Sequence, residues 1–99
     1  MKSKRTKACE IPKKVKIKVW ERDNYRCIFC GTTYSLPEAH IVPRSKGGLG
    51  IEENIVTVCR PCHNRMDQTT ERKQMVSFAI QYVKKFYPNW NEEEMRYKK

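Results

Sequence analysis

No stretch of this chain is apolar for long enough to act as a signal peptide or span a membrane, and its first residues are polar and basic. The expectation is a reduced, cytoplasmic protein without a membrane partner. Apolar residues are in short supply throughout. With 38% hydrophobic and 32% charged residues, 99 positions leave room for one thin core and not for two independent ones. Acidic residues are the second shortage. Eleven Asp and Glu stand against 21 Lys and Arg, giving a formal charge of +10, and nine of the basic residues fall within the first 22 positions. Such an excess attracts polyanions, of which nucleic acid is the commonest. The bland alternative is a basic, merely soluble surface. No internal repeat is present.

A thin core needs a staple, and the cysteines supply one. Cys27-x2-Cys30 and Cys59-x2-Cys62 form two closely spaced pairs. Each pair can occupy one edge of a tetrahedron from a tight turn, which suits a structural Zn²⁺ held by four thiolates. Structural zinc contributes on the order of 10 kcal/mol of apparent binding energy, comparable to the whole stability of a small domain. Disulfides would require an oxidising compartment, and the missing leader argues against one. Cys9 is left over and reads as an unpaired thiol in a loose arm.

Residues 1–11 are basic and lack an apolar period, which predicts a flexible arm. A single domain then spans 12–88, followed by a tail over 89–99. Pro12 opens a helix running to about Asp23, with Val15, Val19 and Trp20 as its buried stripe. The first cysteine knuckle follows. Residues 38–42 read as a strand, 43–54 as a charged loop containing Gly47 and Gly48, and the β-branched run 55–58 as an antiparallel second strand. A helix starts near Arg60, with Pro61 in its first turn and His63 and Asp67 on one face, four residues apart. A last helix covers about 70–86, with Val76, Ala79, Ile80 and Val83 on a core face and Phe86 near it; Pro88 ends it. Trp90 leaves the tail either docked through a short turn or mobile.

Between and beside the cysteine pairs lie His40-Ile-Val-Pro-Arg-Ser-Lys-Gly-Gly, then Glu53-Asn54-Ile-Val, then Cys62-His63-Asn64. A zinc clip that gathers His40, Asn54 and His63 would scaffold a reaction centre. This run, with the spacing H-x13-N-x8-H and both cysteine pairs, resembles the HNH endonucleases over about residues 20–68. The resemblance implies an α+β fold with a ββα-metal core, also called a His-Me finger, flanked by helices. It implies metal-dependent hydrolysis of DNA phosphodiester bonds, with His40 as general base and Asn54 fixing the backbone and ring of His40. His63 would hold a catalytic Mg²⁺ or Mn²⁺, and the ends left would be 5′-phosphate and 3′-hydroxyl. Similar small stand-alone proteins occur in phages and other mobile elements, and some assist genome packaging, so packaging proteins are implied partners.

One position departs from the family pattern. Many members carry Asp or His just before the general-base histidine, and here that position is Ala39. Glu38 is one residue off, and strand alternation turns consecutive side chains to opposite faces. Asp67, one helical turn past His63, is the better replacement ligand, and a hard carboxylate suits Mg²⁺ or Mn²⁺. Arg44, Lys46, Arg60 and Arg65 surround the motif and form a DNA track, which Lys13, Lys14, Lys16 and Lys18 extend. Ala39 and the positive charge also support a rival, a zinc-stabilised DNA-binding module with a degenerate, non-catalytic HNH site. No feature of the sequence specifies a dimer interface.

Overall fold

In a computed structural model describing residues 3–68 and 70–98, the chain is a small α+β protein. Helices α1 (Lys4–Cys9) and α2 (Lys13–Arg22) precede strands β1 (Leu36–His40) and β2 (Ile55–Val58), and helices α3 (Arg60–Gln68) and α4 (Arg72–Lys84) follow. Short 3₁₀ turns occupy Arg44–Lys46, Glu52–Asn54 and Glu92–Met95. The two strands pair antiparallel, with Ala39 opposite Val56 and His40 opposite Ile55, and the register shifts between Leu36 and Ala39. Every residue of β2 is buried, as expected of a β-branched run enclosed on both faces.

The core joins Ala39, Ile41, Val42, Val56, Val58, Met66, Met75, Ala79 and Val83 to the cysteine knuckles. On α2, Val19 is fully buried while Val15 and Trp20 are half-buried. On α4, Met75, Ala79 and Val83 centre the buried face at i, i+4, i+8. Val76 and Ile80 flank it, half-buried. Phe86 lies past the helix end, largely exposed, with its ring centroid 5.7 Å from the Arg22 guanidinium. The first strand begins and ends two residues earlier than residues 38–42. Ile41 and Val42 stay buried but pair with Asn54 rather than with a β2 residue.

Two terminal expectations change. The reading of 1–11 as a flexible arm does not describe residues 4–9, which are helical and whose last residue, Cys9, is only 3% exposed. Cys9 is therefore a buried free thiol and not a loose one. A six-residue helix shows too little periodicity to read from sequence, and Ser3 caps it by accepting from the Thr6 N–H. The first two residues of the arm lie outside the described residues, as does Lys99 of the tail. The tail docks: Trp90 donates from Nε1 to the Glu53 carbonyl at 2.8 Å, and the backbones of Met95 and Tyr97 pair with Leu49 and Gly47.

A buried ion pair locks the helices to the sheet. Asp23, fully buried, accepts from Arg22 at 2.8 and 3.0 Å, from the Thr57 N–H at 2.9 Å and from the Tyr82 hydroxyl at 2.8 Å. Arg22 in turn donates to the carbonyls of Glu52 and Ile55, both at 2.8 Å. Burial, together with the bond to Asp23, pushes the Tyr82 phenol well above its usual range. Asp23→Ala strands the arginine and two further donors, the Thr57 N–H and the Tyr82 hydroxyl, so it should cost about 3–5 kcal/mol in a urea melt. A loss below about 1 kcal/mol would mean that water replaces the carboxylate freely.

Candidate functional site

The sulfurs of Cys27, Cys30, Cys59 and Cys62 lie within 4.8 Å of one another, with Cys30 and Cys59 at 3.5 Å. A tetrahedron with Zn–S bonds of about 2.3 Å has edges of about 3.8 Å, so the cluster fits a closed structural zinc site. Turn geometry makes it possible. Cys27 accepts the Phe29 N–H at its sulfur, and the Gly31 N–H closes the knuckle onto the Cys27 carbonyl. Burial opposes ionisation of Cys27, but backbone N–H groups of Cys30, Cys59 and Phe29 outweigh it and bring the thiol down to about 7. Burial pushes the Cys59 and Cys62 thiols up.

The second cysteine knuckle starts α3 and so places His63 in its first turn, where its N–H bonds the Cys59 carbonyl at 2.9 Å. One turn later Asp67 brings Oδ2 to 3.1 Å from His63 Nε2, and Arg72 approaches Asp67 Oδ1 at 3.6 Å. Across from α3, the end of β1 carries His40. Its Nε2 lies 2.8 Å from the Cys9 carbonyl oxygen. A carbonyl only accepts, so in the neutral ring Nε2 bears the proton and Nδ1 holds the open lone pair. Burial lowers the His40 pKa, as do the charges of Arg44 and His63, against the pull of the Cys9 carbonyl and Asp67. His40, His63 and Asp67 line one open cleft of about 900 Å³.

Asn54 is buried to 0% exposure just before β2. Its Oδ1 accepts from the Val42 N–H at 2.9 Å, and its Nδ2 donates to the Val42 carbonyl at 3.1 Å and the Leu49 carbonyl at 2.9 Å. The expected bond to His40 itself is replaced by bonds two residues further on. A carboxamide offers an acceptor and a donor side by side, which matches both backbone groups of Val42. Gly48 completes this folded loop, since a Cβ there would collide with the Val42 carbonyl.

Residues 27–78, just over half of the chain, match the family model of the HNH endonucleases. This chain belongs to the HNH endonuclease family. No curated protein and no solved structure matches it. Membership implies a nuclease-type function on a nucleic-acid substrate. Among the described residues no helix is long and apolar enough to cross a membrane.

In this HNH protein, Arg44 and Lys46 line the cleft with the two histidines. Arg60 borders a neighbouring hollow that shares Glu38 and His63 with it. Arg65 faces elsewhere, bound to Glu71 at 2.6 Å on the surface. Ala39 is fully buried on the core side of β1, whereas Glu38 lines the cleft on the same face as His40 and pairs with Lys16 at 3.5 Å. Glu38 thus reaches the cleft although alternation denies it the place of Ala39. Sequence reasoning missed Arg72, Glu10 and Ile11 as cleft residues. Arg72 carries no motif, and the other two lie outside the matched region.

Proposed function

We propose that this protein cleaves DNA phosphodiester bonds as a metal-dependent endonuclease with a ββα-metal centre. The observation that carries the reading is the convergence of His40, His63 and Asp67 in one cleft walled by Lys16, Arg44, Lys46 and Arg72. The order β1, long loop, β2, α3 supports the same architecture. Cations on the wall draw in the backbone phosphates and hold the strand without reading its bases.

His40 is the general base. With Nε2–H committed to the Cys9 carbonyl, Nδ1 takes the proton of the water that attacks phosphorus. Burial and Arg44 keep that ring neutral near pH 7. Asn54 is a positioning residue that braces the loop emerging from His40. His63 and Asp67 would hold the divalent ion. His63 Nε2 and Asp67 Oδ2 lie 3.1 Å apart, close enough for both to bind one ion. One imidazole and one carboxylate leave the remaining positions to water and phosphate, the habit of Mg²⁺ and Mn²⁺. The chemistry supplied by an ion held there would be stabilisation of charge on the phosphate and on the departing 3′ oxygen. The ends produced are 5′-phosphate and 3′-hydroxyl, and one site cuts one strand per engagement.

Relaxation of supercoiled plasmid by the zinc-loaded protein tests the reading. Nicking is expected with Mg²⁺ or Mn²⁺ and not with EDTA. Asp67→Ala should raise the metal concentration needed for half-maximal rate by about tenfold or more, with partial recovery at excess metal. An unchanged metal requirement would remove Asp67 from the ligand set. Plasmid binding without cutting in any of these buffers would favour the zinc-stabilised DNA-binding module for which Ala39 speaks.

A further inference from the structure

Residues 5–11, ahead of the matched region, approach the cleft in four ways. The Cys9 carbonyl meets His40 Nε2, and Glu10 and Ile11 form part of the wall. The Ala8 carbonyl accepts the Gly50 N–H at 2.9 Å, and Arg5 donates to the carbonyl of Ser45 at 3.0 Å and of Arg44 at 3.4 Å. Gly50 is what allows the approach, because a Cβ there would fall inside the carbonyl of Glu10. Its φ lies outside the left-handed region, so alanine would be acceptable to the backbone and is excluded by the Glu10–Ile11 segment that leaves α1.

We infer that α1 is a working part of the site, its docking on the loop at Gly50 holding the Cys9 carbonyl where it sets the tautomer of His40. The last carbonyls of a helix have no partner within it, and the carbonyl of Cys9, final residue of α1, is such a group. His40 Nε2–H satisfies it. In return the carbonyl selects the ring form whose Nδ1 is unprotonated. The two neutral tautomers of a free imidazole are both accessible, so one fixed acceptor decides between them. A ring free to choose would present an N–H to the cleft for part of the time, and an N–H cannot take a proton. The Cys9 backbone is therefore a positioning group acting through His40. Its effect on rate rests on the proposed nuclease reading; its effect on the ring does not.

The test compares zinc-loaded wild type, Gly50→Ala and Arg5→Ala, all full length. Nitrogen-15 correlation spectra report the tautomer directly, and with two histidines in the chain the assignment needs only His63→Gln. Wild type should show His40 as a single Nε2–H form. Gly50→Ala should expose the residue-50 amide to hydrogen exchange, mix the His40 tautomers and lower kcat for plasmid nicking by about tenfold or more, with a smaller change in KM. Unchanged zinc content would show that the fold persists. If Gly50→Ala fails to fold, Arg5→Ala decides, with a partial change of tautomer expected from two lost tethers. The inference is overturned if α1 stays docked in Gly50→Ala, if the ring keeps its tautomer after α1 detaches, or if kcat holds while the tautomer mixes. A wild type that cuts no plasmid would end the nuclease reading, and the tautomer would then decide this inference alone.

Discussion

His40→Ala is expected to lower plasmid cleavage by about 10²–10⁴-fold while leaving zinc content, fold and DNA affinity close to wild type. The ring is half-buried at the cleft edge and outside the apolar core, and among the described contacts its one hydrogen bond is to the Cys9 carbonyl. Water in the cleft can take over that carbonyl, so the stability loss should stay near 1 kcal/mol. The cleft-lining cations Lys16, Arg44, Lys46 and Arg72, proposed to grip phosphate, are untouched by the substitution. The pH profile adds an independent check. Burial, Arg44 and His63 all disfavour the imidazolium, so the folded-state pKa lies below the ordinary value of about 6.5. A base works in its unprotonated form. Cleavage should therefore be flat around neutrality and decline only at pH below the ordinary imidazole range, with this acid limb absent from the residual activity of His40→Ala. Equal rates for the variant and wild type would exclude His40 from proton transfer.

What the sequence made legible was whatever depends on short-range spacing. Two CxxC pairs can bite a metal only from tight turns, so the sulfur cluster followed from four letters. His63 and Asp67, one helical turn apart, had to share a face once Pro61 marked the start of α3. The β-branched run 55–58 could be little other than a buried strand. Illegible was whatever depends on backbone atoms or on contacts far apart in the chain. The Cys9 carbonyl carries no side-chain signature, so nothing in residues 1–11 announced a partner for His40. Arg22 and Asp23 look like an ordinary helix end, and their burial follows from the distant Tyr82, Thr57 and Ile55 that receive them. Asn54 shows both sides of this division. Its type and position were readable, but whether its carboxamide would reach His40 or Val42 depended on the loop path, which Gly48 permits by its lack of a side chain. Arg65 illustrates the opposite error, since nearness in sequence to His63 said nothing of Glu71, which binds it.

Removal of zinc should unfold most of the chain. Cys27, Cys59 and Cys62 belong to the core cluster, and a zinc ion held by the four cysteines would tie the knuckle before β1 to the start of α3. Losing on the order of 10 kcal/mol of zinc binding would consume a stability that small domains hold at about 5–15 kcal/mol. A tight zinc chelator at neutral pH should therefore abolish the cooperative thermal transition and most helical circular dichroism, and Cys62→Ser should do much the same without chelator. Thiolates bind the metal and protons compete for them, so zinc should be lost more readily as pH falls. Two metal requirements then separate by rate and by consequence. Magnesium held by His63 and Asp67, as proposed, would exchange with solvent through an open cleft, so its removal should stop cleavage at once, reversibly, with circular dichroism unchanged. Zinc in the cysteine cluster would be enclosed by four sulfurs, so its removal should be slow and should take the fold with it, because His63 owes its position to the neighbouring Cys62. A native melt in zinc-free protein would show instead that the apolar core, thin as its composition makes it, holds α3 against the sheet unaided.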